Sequence, residues 1–386
     1  MAIGRAPGRG FNELIRICMI AEDLKIDVAM LSEWLIGKKS VTVLDVRPKH
    51  EREEWSIPGS LHADVYDKLK ANEKDVFSNL ELPEGAIVTI CAGGKMSLIA
   101  AEQLRQKGLD VYSLAGGMKA WNFAWNRAEI SFRNFKIIQV RRSAKGCLSY
   151  LVGSGHDAIV IDASLDPKVY LGLAKDNGWK IRYVMDTHIH ADYLSRTRDL
   201  AAAAGSTHLM IENANVDYPF VSTRDEEVIS FGDTAIKVLH TPGHTWESAS
   251  YQIDGLVLFT GDTLFLDGVG RPDLKADQDE AVKKSKQLHL SLKRLLELNP
   301  SAIVLPAHSS KAVPFDGKLL AATIVELREK LEWLKMNENE FVQYTLSHIP
   351  PTPPNYLTIA GLNKVGSYEG HKLSDLEAGA NRCAIA

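Results

Sequence analysis

The sequence predicts an α/β protein in two parts, a small α/β domain with a largely parallel sheet and then an αββα sandwich. Three observations carry this reading. Over residues 26–125, short β-rich runs alternate with amphipathic helical stretches. From residue 135 the strands first follow one another as a meander and only later alternate with helices. Histidines and carboxylates then fall where strands would end.

In chain order, Arg5 and Arg9 precede an apolar stretch over residues 14–21 that Arg16 interrupts, read as a helix rather than a transit peptide, within an N-terminal extension of residues 1–25. Residues 26–128 form the first domain, with strands at 41–46 and 86–90 and a helix at 97–107. Residues 129–386 form the second. Strands at 137–140, 149–152 and 158–161 make the meander, and a helix at 169–175, a strand at 181–185 and a helix at 196–204 follow. Further strands lie at 236–240 and 256–259, and Ala281, Leu288, Leu292, Leu295 and Leu296 set the inner face of a helix over 278–298 before a strand at 302–305. An aromatic-bearing helix over 319–336 precedes the Pro-rich stretch 348–354, which predicts an extended arm. That arm and helix suggest a homodimer.

With 386 residues, 45% of them apolar, the chain can bury more than one core. A formal charge of -4 with interspersed acids and bases gives no reason to expect nucleic acid or an anionic membrane as partner. No run is long enough to cross a bilayer. The four cysteines, Cys18, Cys91, Cys147 and Cys383, form no CxxC pair, which argues against a disulfide framework and for a reducing, cytoplasmic setting. Cys18, Cys147 and Cys383 read as ordinary small residues.

Thr187-His188-Ile189-His190-Ala191-Asp192-Tyr193, Thr241-Pro242-Gly243-His244-Thr245, Thr260-Gly261-Asp262-Thr263 and Pro306-Ala307-His308 read together as a metal site. Two imidazoles and one carboxylate from separate strand ends make the facial triad that holds Fe(II) with positions open to substrate and oxygen. The economical assignment is His188, His244 and Asp262.

Residues 135–314 resemble the metallo-β-lactamase superfamily, whose fold is shared by thioesterases such as glyoxalase II and by persulfide dioxygenases. Gly268-Val-Gly-Arg-Pro-Asp273 and the closing Leu-Glu-Ala-Gly-Ala-Asn-Arg-Cys-Ala run resemble the dioxygenase branch. Binuclear zinc hydrolases extend the first motif to HxHxDH, whereas here its last position is Tyr193. A phenol with a pKa of about 10 is a poor substitute for an imidazole, so one metal is expected. The resemblance implies mononuclear Fe(2+) on His188, His244 and Asp262, with His190, Asp192, Tyr193 and His308 around them. It also implies oxidation of glutathione persulfide, or another low-molecular-weight persulfide, by O2 to sulfite. Arg271 is the candidate to fix the substrate or the iron-bearing loop, against a structural pairing with Asp273.

Cys91-Ala92-Gly93-Gly94-Lys95-Met96-Ser97 joins a buried strand to a helix, so the thiol lies among helix-end amides that favour a thiolate, with Lys95 as an added cation. With Leu44-Asp-Val-Arg47, Ile57-Pro-Gly59 and Leu114-Ala-Gly-Gly-Met-Lys-Ala-Trp121, this loop resembles the rhodanese family. That resemblance implies Cys91 as a persulfide-carrying nucleophile exchanging sulfur among thiosulfate, sulfite and glutathione, with Asp45 and Arg47 supporting the fold. A tyrosine-phosphatase loop would need arginine where Ser97 stands. The rival readings are a zinc thioester hydrolase fused to a rhodanese, and a sulfurtransferase beside an inert metal-fold module.

Overall fold

In the computed structural model, residues 23–37, 39–352, 354–379 and 382–385 are described. The helix expected over residues 14–21, and Cys18 within it, lie outside them. The chain divides into two units between Ala124 and Trp125.

The first unit contains β1 (Lys25–Ile26), β2 (Val41–Asp45), β3 (Leu61–His62), β4 (Ala86–Ile90) and β5 (Val111–Leu114). They form one parallel sheet in the order β1-β5-β4-β2-β3. Central β4 is Ala-Ile-Val-Thr-Ile and buried along its whole length, as a parallel strand covered on both faces must be. Cys91 leaves its carboxyl end, where open α/β sheets place binding groups. The helix that follows spans Lys95–Gln106 and buries Ala100, Ala101 and Leu104. It starts two residues before the expected position because Gly94, at φ 91°, makes the turn in the left-handed region that glycine tolerates.

The second unit opens with β6 (Trp125–Ser131). Residues 125–128, assigned from sequence to the first domain, pair with the strand β7 (Lys136–Arg142) and belong here. Buried Asn126 and Ala128 alternate with exposed Arg127 and Glu129, the pattern of a strand with one face in water. After them come β8 (Leu148–Ser154), β9 (Asp157–Ile161), β10 (Lys180–Met185), β11 (Thr207–Ile211) and β12 (Val221–Thr223). β7 to β9 are the expected meander, β6 adds a fourth antiparallel strand that was not expected, and β9 to β12 run parallel.

A second sheet is built from β13 (Val228–Phe231), β14 (Thr234–His240), β15 (Ala249–Ile253) and β16 (Val257–Gly261), and after the short β17 (Val269–Gly270), from β18 (Ile303–Pro306) and β19 (Ala322–Thr323). Tyr150, Val152 and Ile159 of one sheet meet Ile236, Val238, Tyr251 and Phe259 of the other in a single core. Helices Pro167–Asp176 and Thr197–Ala204 pack on β10, while Gln278–Leu296 sets Leu288, Leu292 and Leu295 against Leu239, Leu258 and Val304. Four layers, αββα, result.

The helix expected over 319–336 is shorter. Residues Ala322–Thr323 pair with β18, the helix is Ile324–Lys330, and Glu332–Lys335 is a 3-10 turn. Thr323 and Glu326 form a capping box that fixes where the helix begins. The Pro-rich stretch has no regular structure where described, as expected, but helices Glu338–Ser347 and Tyr356–Val365 flank it. The tail then returns, and β20 (Ala384–Ile385) pairs with β17.

Glu377 anchors that tail. Fully buried, its carboxylate takes Arg142 and Arg196, each at 2.8 Å, and the backbone N–H of Leu194 at 3.2 Å. Glu377→Ala leaves two buried guanidinium groups without their counter-charge, and a stability loss of about 3–5 kcal/mol is expected as a lowered urea midpoint. A midpoint unchanged from wild type would show that this triad contributes nothing.

Candidate metal centre and cysteine loop

β14, β16 and β18 run in the same direction, and β10 in the facing sheet delivers its carboxyl end to the same place. Their exits carry His188, His244, Asp262 and His308, all buried. His188, His244 and Asp262 come together with donor atoms within 4.8 Å of one another. Asp262 Oδ2 lies 3.8 Å from His188 Nε2 and 3.6 Å from His244 Nε2. It is buried and accepts no hydrogen bond among the described residues.

Backbone fit explains part of this convergence. At Gly270 an added Cβ would collide with the Asp262 carbonyl and lie 2.9 Å from the His244 side chain, so only glycine lets β17 pass the cluster. Gly243, at φ 140°, gives the turn before His244 room against Leu288.

The imidazoles are oriented by their other nitrogens. His244 Nδ1 donates to the Arg271 carbonyl at 2.8 Å, and that acceptor fixes the proton on Nδ1 and leaves Nε2 bare. Thr187 Oγ1 donates to Asp162 at 2.9 Å and accepts from His188 Nδ1 at 2.9 Å, so Nε2 is again the unprotonated nitrogen. Burial holds the pKa of both rings below the usual 6.5, with the charge of His190 adding to the effect at His188 and Asp262 opposing it at both. Burial alone would raise Asp262, but His308 and His188 outweigh it and hold the carboxyl below its usual range.

Two neutral nitrogens and one carboxylate oxygen therefore face one point. Donors each about 2.1 Å from a shared ion lie no more than ~4.2 Å apart, a limit the two nitrogen-to-oxygen separations satisfy. The donor set and the orphaned oxygen fit a single cation.

The neighbouring groups are engaged with each other. His308 places Nδ1 2.6 Å from Asp262 Oδ1 and Nε2 2.8 Å from Asp192 Oδ2. Burial opposes its charge, but the two carboxylates prevail and raise its pKa well above the ordinary value. His190 turns Nε2 toward Asp162 (3.1 Å) and the Tyr193 hydroxyl (2.9 Å), and the Tyr193 ring stacks on it. Despite burial, Asp162 and Asp186 push the His190 pKa up to about 10. His190, Asp192, Tyr193 and His308 thus surround the triad without joining it.

Arg271 differs from its expected role in substrate binding. It is fully buried, chelated by Asp273 at 2.8 and 2.7 Å, and donates to the carbonyls of Pro351 and Arg382. Its guanidinium holds the loop whose carbonyl orients His244, the alternative raised for it. Cys147 and Cys383, expected to be ordinary, join the cluster instead. Cys147 lies with Asp192 and His308, and Cys383 with Asp262 and His308. The resemblance of the closing tail was the available signal for Cys383; for Cys147 none existed. Thr187 and Asp162, which orient His188, were also not singled out.

In the first unit, Cys91 Sγ accepts from the Gly94 N–H at 3.1 Å. The Leu-Ala-Gly-Gly segment explains itself here. Met118 and Lys119 donate their N–H groups to the carbonyls of Cys91 and Ala92 at 2.8 and 3.1 Å, and a Cβ on Gly117 would strike the Cys91 carbonyl. Ala92 and Gly93 form the loop's outer turn and Lys95 is exposed. Met96 and Ser97, expected in the active loop, instead start the helix and point into the core, with Ser97 Oγ accepting from Ser113 Oγ at 2.9 Å. Asp45 and Arg47 form a buried bidentate pair closing at 2.7 Å, and Arg47 also donates to the Trp55 carbonyl.

Residues 27–124 match the family model of the rhodanese-like domain, and residues 142–308 that of the metallo-beta-lactamase superfamily. The chain thus carries a rhodanese-like domain followed by a metallo-beta-lactamase domain. Its relatives divide between two activities. A hydroxyacylglutathione hydrolase of Anaeromyxobacter dehalogenans is 36% identical over 135 residues, 35% of this chain and 52% of that protein, so the chain spans about half of that relative's length. The mitochondrial persulfide dioxygenase ETHE1 of Bos taurus is 28% identical over 207 residues, 52% of this chain and 76% of that protein. Among solved structures, ETHE1 from Myxococcus xanthus superposes with a TM-score of 0.52 at 27% identity, covering 60% of this chain and 98% of that one. A metallo-beta-lactamase from Staphylococcus aureus shares the fold, with a TM-score of 0.57 at 24% identity over 62% of this chain and 76% of that one.

Thr187→Val removes the group that orients His188 while leaving every donor to the ion in place. Metal affinity should fall about 10–100-fold in competition with a chelator, the usual cost of losing such support. Equal affinities in Thr187→Val and wild type would mean that the threonine does not orient the ring.

Proposed function

We propose that the chain is a sulfur-metabolism enzyme whose second unit oxidises a low-molecular-weight persulfide with O2 and whose first unit transfers sulfane sulfur through Cys91. The overall reaction of the second unit is RSSH + O2 + H2O → RSH + SO3²⁻ + 2H⁺, with glutathione persulfide as the expected substrate. The observation that carries this reading is the bare Asp262 Oδ2 facing two neutral imidazole nitrogens, with His308 lying between Asp192 and Asp262. Tyr193 stands where a two-zinc hydrolase has a ligating histidine and is turned to His190, which supports the mononuclear triad; Cys147, Asp192 and His308 also gather beside it with donor atoms within 4.8 Å of one another.

Ferrous iron on His188, His244 and Asp262 would supply the redox chemistry that lets O2 react with a sulfur anion. The chain's own residues do the rest. Thr187 and the Arg271 carbonyl hold the two rings with Nε2 inward. His244 lines a cavity of about 290 Å³, which gives a sulfur donor its approach, and Ile189 and Leu274 make part of that wall apolar. In the first unit the Cys91 thiolate would attack the outer sulfur of thiosulfate, break the S–S bond, release sulfite and keep a persulfide. The Gly94 N–H lies 3.1 Å from the sulfur and supports its negative charge.

A second reading, zinc-dependent thioester hydrolysis, is favoured by the 36% identity to the hydroxyacylglutathione hydrolase. Metal analysis and an oxygen electrode separate the two. With glutathione persulfide, iron-loaded wild type and Cys91→Ser should both consume oxygen while His244→Ala falls to background. Zinc as the only active metal, or equal loss in Cys91→Ser and His244→Ala, would refute two independent sites.

A further inference from the structure

The cavity beside His244 has a charged wall that the oxidation itself does not use. Most of its polar groups are already engaged. Lys284 is buried and donates to the Leu274 carbonyl at 3.2 Å, Glu280 takes the Trp246 indole N–H at 3.0 Å, and Glu247 takes the Ile189 N–H at 3.1 Å. Lys275 and Lys364 stand apart. Neither ammonium group has an ion pair or hydrogen bond among the described residues, yet both line the cavity.

These two lysines come from separate elements. Lys364 lies in the helix Tyr356–Val365, and Lys275 in the turn before Gln278–Leu296, held at φ 57° in the left-handed region. Burial lowers the Lys275 pKa, with the charge of Glu247 raising it and that of Lys364 lowering it. Two ammonium groups without a salt bridge on one cavity wall can meet a bound carboxylate together through charge-assisted hydrogen bonds.

We infer that Lys275 and Lys364 are specificity-determining residues that recognise a carboxylate on the carrier thiol, which orients its sulfur toward the His244 side of the cavity. The inference rests on the proposed reading that a thiol-borne sulfur enters here. A cavity of about 290 Å³ lies at the small end of the ~300–1,000 Å³ range of ligand sites, which suits a peptide-sized thiol acid better than a nucleotide-bearing carrier.

The test titrates the full-length protein with reduced glutathione and with its diethyl ester, which keeps the thiol and masks both carboxylates. Binding is read by calorimetry and by the fluorescence of Trp246, 41% exposed on the cavity wall and assigned with Trp246→Phe. Glutathione should bind at least ~10-fold more tightly than the ester. Lys275→Met and Lys364→Met should each remove most of that preference without weakening the ester, and Lys275→Arg and Lys364→Arg should retain it. In oxygen uptake the methionine variants should raise KM and leave kcat within about twofold. Equal binding of acid and ester by wild type, or an unchanged preference in both methionine variants, overturns the inference. If the preference follows the lysines but glutathione persulfide drives no oxygen uptake, the carboxylate subsite stands and the proposed oxidation falls.

Discussion

One carboxylate, Asp262, sets the terms for the metal-side architecture. It is buried at the end of β16 with one oxygen held by His308 and the other accepting nothing among the described residues. A buried ionised oxygen without a partner is costly unless a charge meets it. The surrounding sandwich is arranged to keep that oxygen bare. Three strand exits bring His188, His244 and His308 to it, Gly270 lets a fourth segment pass at van der Waals range, and the Arg271 carbonyl keeps the His244 proton on the far side.

The residues around the triad are where the two proposed chemistries place different demands. A hydrolase of the two-metal kind needs the position after Asp192 to supply a ligand, and here that residue is a phenol stacked on His190. His190 is drawn toward Asp162, and His308 is shared between Asp192 and Asp262. Around the triad, Cys147, Asp192 and His308 also gather with donor atoms within 4.8 Å of one another, as do Asp162, Asp186 and His190.

The C-terminal tail contributes more than its position suggests. Glu377 ties down the segment after Tyr193 through Arg196 and Leu194, while the Arg382 carbonyl accepts from the guanidinium of Arg271, whose own carbonyl orients His244. Residues near the end of the chain therefore tension two loops of the candidate metal centre. In the first unit the corresponding support is local, because the Gly116-Gly117 turn holds the backbone of the Cys91 loop directly.

Much of this was readable from sequence. Alternation of apolar runs located strands in all three large sheets and the helices Lys95–Gln106, Pro167–Asp176, Thr197–Ala204 and Gln278–Leu296, and the triad His188, His244 and Asp262 followed from where strand-end residues fell. Local capping was also legible in principle, as Thr323 and Glu326 show, though the helix there was drawn too long. Hidden from sequence were contacts between residues far apart in the chain: the Arg271–Arg382 link, the approach of Cys147 and Cys383 to His308, and the two unpaired lysines on one cavity wall. Periodicity reports which face of an element is buried, because burial repeats with the geometry of that element. It carries no information on which buried faces meet, and that was decided only when the two sheets closed on each other and the tail folded back between the loops.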